Sequence, residues 1–455
     1  MEKVGESTAP AAAPAVCAAE EDACDNNPFN LPSLAELEAA MCNPETSIVK
    51  KMANVFAIKK HGGSRAMNLL LESLNHDQGS VLFRHEATYV LGQLGCQDAG
   101  EPLLKILKDT SEHEMVRHEA AEALSALGYE TSLPVLQEVA ADESVPLTVR
   151  QTCELSVHSL LTKIEEKHAA EGTSPAPLTP SRAATSASSP ADVPAAGEEG
   201  AVQAKNDEDL WWIREENAYR DRQFNTIDPS EPYPNCTEED LPWLTAQLLN
   251  DEEKLWSRYR ALITLRNLNS PTATAMLALV LSRDASSALL RHEIAFVLGQ
   301  LRIPSSACDA SACEAEKQRS EAEQDTLPAG AEPSEKTNKA PPRYRVIPDF
   351  LKEHLRVKHD ESSAARAAFD ALAQCLKDAK EHPMARHEAA LALGSLGASP
   401  GASEAKGEEG DASIQDTIIR LLQLYSKDPD RIVSESCFVG LDSMQEELGL
   451  ELGVC

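Results

Sequence analysis

Three observations predict an all-α fold, an α-solenoid of helical hairpins in two duplicated halves of about four repeats each. First, Arg-His-Glu occurs four times, at Arg84-His85-Glu86, Arg117-His118-Glu119, Arg291-His292-Glu293 and Arg386-His387-Glu388. Second, a shift of 207 residues carries Arg84 to Leu94 onto Arg291 to Leu301 with Arg-His-Glu and Val-Leu-Gly-Gln-Leu intact, and a shift of 269 carries Leu107 to Gly128 onto Leu376 to Gly397. Third, steps of 33 residues from Arg84 reach Lys51, Arg117 and Arg150, each opening an apolar stretch. Apolar positions three and four apart after a cationic residue describe an amphipathic helix, and a shorter helical segment precedes each one. A helix–turn–helix unit repeated in this way buries its apolar face only against its neighbours, which is the logic of a solenoid.

Taken in order, residues 1–28 are Ala/Pro-rich and acidic, with little to bury, and read as a disordered tail. The first half spans 29–165. A Pro-, Ser-, Ala- and Glu-rich linker follows over 166–237, in which Trp211-Trp212 marks a short helix or lid and Asn225 to Pro234 reads as extended. The second half, 238–455, restarts near Glu238, because Arg258 precedes Arg291 by the same 33 residues. Between His292 and His387 the interval is 95 instead of 33, which places a low-complexity insertion at about 303–362. Long loops between helices cost little closure entropy, so the insertion is expected to loop outward. AARAAFDALAQCLKD from Ala364 then restores the phase, and RIVSESCFVGL closes the array.

The outer repeats act as internal controls. At the His-Glu phase they carry Met52-Ala53, Gln151-Thr152, Tyr259-Arg260 and Glu435-Ser436. The repeat therefore folds without His-Glu. Arginine also recurs in repeats that lack His-Glu, which assigns it to packing, and His113 and His382 fall in matching turns.

Composition narrows the class of protein. A formal net charge of −32 disfavours a nucleic-acid partner and favours a basic or amine-bearing one. Eleven cysteines without a Cys-x-x-Cys pair argue against both a disulfide framework and a metal knuckle. With no signal peptide or membrane-length apolar run, the expectation is a cytoplasmic monomer that binds neither membrane nor nucleic acid.

The four His-Glu motifs carry the chemistry. Adjacent residues on a helix point about 100° apart, so one motif cannot clamp an ion alone. Motifs on stacked helices roughly 8–10 Å apart can converge their imidazoles. Imidazole and carboxylate without thiolate suit iron or manganese with open coordination positions.

Two halves, each bearing two His-Glu motifs with VLGQL after the first, MVRHEA at His118 and NTIDP at Asn225, resemble the deoxyhypusine hydroxylases. The resemblance covers both halves and implies a solenoid of HEAT-type repeats. It further implies a non-haem di-iron centre, two Fe(II) per chain, that uses dioxygen and an external reductant. The substrate it implies is the deoxyhypusine side chain of the hypusine-bearing translation initiation factor. By position, His85, His118 and Glu119 would hold one iron, and His292, His387 and Glu388 the other. Glu86 and Glu293 would engage the substrate amines. Competing readings are a non-catalytic helical-repeat scaffold, a bilin-lyase-like protein, and a metal-dependent hydrolase.

Overall fold

The computed structural model describes residues 31–77, 79–171, 226–300, 347–403, 413–450 and 452. The expected tail, the Trp211-Trp212 segment and most of the insertion lie outside them. Seventeen α-helices are found among the described residues, and no strand.

In the first half they pair as α1 (Leu34–Met41) with α2 (Ile48–His61), α3 (Gly63–His76) with α4 (Val81–Gln93), α5 (Gly100–Lys108) with α6 (Glu114–Ala126), and α7 (Leu133–Ala141) with α8 (Leu147–Glu171). In the second half α9 (Leu241–Leu249) pairs with α10 (Leu255–Leu268), and α11 (Pro271–Arg283) with α12 (Ala288–Gly299). A short α13 (Asp349–His354) intervenes. The last pairs are α14 (Glu361–Lys377) with α15 (Pro383–Gly397), and α16 (Ile414–Tyr425) with α17 (Arg431–Leu448). The second helix of every pair stacks on the second helix of the next, so α2, α4, α6, α8, α10, α12, α15 and α17 form one inner layer.

Local chemistry starts these helices where the sequence expects. Ser80 and Ser287, at equivalent positions, each accept the backbone N–H three residues on, capping α4 and α12. His113 and His382 accept the N–H two residues on, that of Met115 and of Met384, with Nδ1 at 3.2 Å, so both histidines cap the helices that follow them. The repeated arginine ties the two helices of a hairpin together. Arg117, Arg258 and Arg386 each donate from Nε to the carbonyl ten residues upstream, on Leu107, Leu248 and Leu376, and Arg84 reaches the Leu74 carbonyl through Nη1. Each arginine thereby satisfies a carbonyl at the end of the outer helix that has no intrahelical partner.

Two limits of the expected segments shift. The composition sets the linker from residue 166, but α8 runs on to Glu171, with Lys163 donating to the Ser125 carbonyl and Lys167 paired with Glu130. At its other end Tyr233 is buried in the core of the second half. Within the segment assigned to the insertion, α13 buries Leu351 against Ala246, Ala275 and Met276, because an apolar residue at that point covers an otherwise open patch of α9 and α11.

The halves meet at two seams. At one, α8 packs on α10 and α12, and Met115 and Leu155 of the first half join the apolar core of the second. At the other, α17 returns to α2 and α4. There Ser80 donates to Glu435 at 2.7 Å and Arg431 to the Gly79 carbonyl at 2.8 Å. The array thus closes on itself, which the expectation of a solenoid did not include. Among the described residues no helix is long and apolar enough to cross a membrane, and six cysteines, Cys42, Cys96, Cys153, Cys236, Cys375 and Cys437, are free.

Candidate metal centre

All four Arg-His-Glu motifs lie on the inner layer, on α4, α6, α12 and α15. Glycine sets how closely these helices approach. A Cβ on Gly92 would lie 2.7 Å from Ala123, and one on Gly299 would lie 2.9 Å from Ala392. No larger residue permits these contacts without parting α4 from α6 or α12 from α15, which gives the glycine of the repeated Val-Leu-Gly-Gln-Leu a physical reason.

The four imidazoles converge on the middle of the molecule. Ring centroids of His85 and His118 are 5.3 Å apart, as are those of His292 and His387. Across the halves His85 lies 5.3 Å from His387 and His118 lies 5.7 Å from His292. His118 and His387 are wholly buried, and His85 and His292 nearly so.

Each second-motif glutamate reaches to the first motif of its own half. Glu119 Oε2 lies 3.2 Å from His85 Nε2, and Glu388 Oε2 lies 3.6 Å from His292 Nε2. His85, His118 and Glu119 bring ligand atoms within 4.8 Å of one another. So do His85, His292 and His387, which leaves His85 within reach of both halves. Glu86 stands 3.4 Å from His85 Nδ1. Glu293 is buried near Asp228 and Arg266, whose charges act on it.

The electrostatics divide the cluster. Burial alone would lower His85, but hydrogen bonds and charge from Glu119 and Glu86 raise it to about 10. Burial, then the charge of His85, drives His292 down to about 3 and holds His118 and His387 well below the usual range. Burial and its acidic neighbours raise Glu293 to about 8 and push Glu388 well above the carboxylate range. Three imidazoles are therefore neutral, with lone pairs available to a cation.

The test of fit is the fate of the ring nitrogens. Both nitrogens of His292 and of His387, and Nδ1 of His118, are buried without a hydrogen-bond partner. Buried polar atoms left unpaired cost about 1–3 kcal/mol each, and such a cluster makes a poor structural core. A coordinated ion would take the lone-pair nitrogen of each neutral ring, so the residues fit a metal.

Above the cluster is a cavity of about 370 Å³. His85, His292, Glu86, Glu119, Glu293 and Glu388 line it, together with Met52, Phe56, Tyr89, Glu122, Phe296 and Leu391, which the sequence reading did not single out as site residues. A signal for them existed. Tyr89 and Phe296 fall four residues after His85 and His292, one turn along the same face, and their rings meet edge to face at 6.4 Å. Met52 sits at the His phase of the first repeat. The segment after the linker also belongs here: Thr226 lines the cavity, Ile227 exchanges two hydrogen bonds with Gln93, and Asp228 pairs with Arg266 at 2.5 Å.

This is a closed helical-repeat protein with a buried, metal-ready cluster of four histidines and their glutamates beneath an acidic cavity. Residues 67–157 match the family described as HEAT repeats. The chain is 30% identical to deoxyhypusine hydroxylase-B of Oryza sativa subsp. japonica over 88% of each chain. It is 31% identical to deoxyhypusine hydroxylase of Plasmodium vivax, covering 87% of this chain and 86% of that one. The structure of human deoxyhypusine hydroxylase in complex with glycerol superposes with a TM-score of 0.57 at 25% identity, over 91% of this chain and 96% of that one. The chain belongs to the deoxyhypusine hydroxylase family, hydroxylating enzymes of hypusine biosynthesis.

Proposed function

We propose that this chain is a non-haem di-iron monooxygenase that hydroxylates the deoxyhypusine side chain of the hypusine-bearing translation initiation factor. The observation that carries the reading is the convergence of four buried imidazoles from both halves, those of His292 and His387 with unpaired nitrogens, beneath one acidic cavity. A non-catalytic scaffold has no use for such a cluster.

In this reading His85, His118 and Glu119 hold one Fe(II), and His292, His387 and Glu388 the other. When bound, two ferrous ions supply, with dioxygen and electrons from an external reductant, the oxidant for an aliphatic C–H bond that no side chain provides. The chain's own residues do the rest. Glu86 and Glu293 accept hydrogen bonds from the substrate's ammonium groups, which a dry site would otherwise reject. The Tyr89–Phe296 ring pair and the burial of the cluster keep water from the reacting centre. Arg266, by fixing Asp228, keeps the strap at Ile227 seated on Gln93.

The experiment is metal analysis of protein produced with iron, combined with an oxygen-dependent assay on deoxyhypusine-bearing substrate read as the gain of one oxygen atom. About two irons per chain are expected on this ligand count. His85→Ala and His387→Ala should lose metal, and full retention in both would sink the ligand assignment. Glu86→Ala and Glu293→Ala should keep iron and bind substrate at least about tenfold more weakly, the worth of one charge-assisted hydrogen bond. Loss of metal in the glutamate variants would merge the two roles.

A further inference from the structure

The two halves are copies, yet the cavity is not symmetric about them. At the seam between α8 and α10 the space is filled. His158 stacks on Trp256, with ring centroids 5.4 Å apart, and Tyr259 is fully buried with its hydroxyl donating to the Leu289 carbonyl at 3.2 Å. At the seam between α2 and α17 the equivalent space is open. The 207-residue shift places Met52 where Tyr259 stands. Met52 and Val439 both line the cavity, and so does Phe56, which is 40% exposed and marks its mouth.

The walls differ in the same sense. The 269-residue shift pairs Glu122 with Leu391, and both line the cavity. Glu122 stands on α6, which packs on α8, so it lies at the end next to the filled seam, where Thr226 of the strap also lines the cavity. Leu391 lies at the end continuous with α17. One end is thus open and mainly apolar, with Lys59 held over the Tyr89 ring, and the other is closed and acidic.

We infer that the side chain to be hydroxylated enters at the α2–α17 seam and stands in a single orientation, its methylene groups against Met52, Phe56 and Leu391 and its distal amine on Glu122 at the closed end. This rests on the proposed function, since it takes the ligand to be a lysine extended by an aminobutyl arm. Such an arm carries one amine part-way along and one at its tip, with methylenes between. An apolar throat followed by an acidic dead end matches that order when the arm enters tip first. It also makes Glu122 a substrate-binding residue alongside Glu86 and Glu293.

Two peptides test it, one carrying the deoxyhypusine side chain and one whose arm ends in methyl, N-butyl-lysine. Their dissociation constants are measured without oxygen on the iron-loaded full chain. Glu122→Gln should weaken the first peptide about tenfold, the loss of one charge-assisted contact, and leave the second unchanged, with iron content intact. Equal effects on both peptides, or none on either, overturn the inference. Met52→Tyr, which copies the filled seam, should weaken both peptides at least about tenfold. Unchanged binding would mean entry elsewhere and overturn it. Should that variant not fold, Phe56→Ala at the exposed mouth takes its place, with both peptides expected to weaken and unchanged binding again overturning the inference. A wild type that binds neither peptide overturns the proposed function and this inference with it. A wild type that binds both while Glu122→Gln behaves identically overturns the inference alone.

Discussion

The two halves hold the same constellation by different covalent routes. In the first, 33 residues separate His85 from His118; in the second, 95 separate His292 from His387. The ring pairs nevertheless have the same 5.3 Å separation. Geometry at the site is therefore set by how α4 stacks on α6 and α12 on α15, and not by the chain that joins them. The largest expected effect tests that directly. Gly92→Val and Gly299→Val each force a side chain into the backbone of the next inner helix, at a cost of about 3 kcal/mol or more. Both should lose iron to the same extent in metal analysis. If Gly299→Val alone lost iron, the longer connection would be shown to loosen the second pair, and the equivalence would fail.

How far the site was legible follows from the same contrast. The four motifs show through the sequence because a 33-residue period is a local property that each hairpin repeats. Glu119 pairing with His85 does not show, since it depends on the stagger of two stacked helices and not on the order His-Glu within one. Closure of the array is harder still to read. Ser80 meets Glu435 across 355 residues, and nothing in the local pattern of either repeat marks one as the partner of the other. For that reason Met52 and Tyr259, visible at the same phase, gave no hint that one lines a cavity and the other fills a seam. The arginines were legible in role, because their recurrence in repeats without His-Glu separates packing from chemistry.

A second, smaller difference lies in paired ions at equivalent positions. Lys51–Asp77 in the first half and Arg258–Asp284 in the second are both 2.6 Å contacts related by the 207-residue shift. The side chains of the first pair are 12% and 13% exposed, those of the second 3% and 2%. Burial would raise both aspartates, but hydrogen bonds from the cations and nearby donors outweigh it and bring both below their ordinary value of 3.8. A carboxylate with a lowered folded pKa contributes stability above its unfolded pKa, and that contribution fades as the pH falls through the folded value. Asp284→Asn strands Arg258 and should cost about 3–5 kcal/mol in urea unfolding at neutral pH. Asp77→Asn leaves a lysine that can reach water and should cost about 1–2 kcal/mol. Both penalties should shrink in acid, below the lowered pKa of each aspartate. Equal costs at neutral pH would mean that burial does not distinguish the pairs.

The smallest effect is expected where the halves differ most in sequence. Deleting Ser305 to Lys339 shortens the connection between α12 and α13 roughly fourfold. Two halvings of a loop change its closure entropy by only about 1 kcal/mol, in the stabilising direction when the remaining chain still spans the gap. The contacts that hold α12 to α15 and its preceding turn, Gly299 against Ala392 and Arg291 on Glu381 at 2.7 Å, come from residues outside the deletion. Leu351 and its apolar patch also lie beyond it. The deletion variant should therefore keep its iron and its unfolding midpoint within a few degrees. A collapse of either would show that the second half, unlike the first, depends on its covalent route, and would reverse the reading that stacking alone places the histidines.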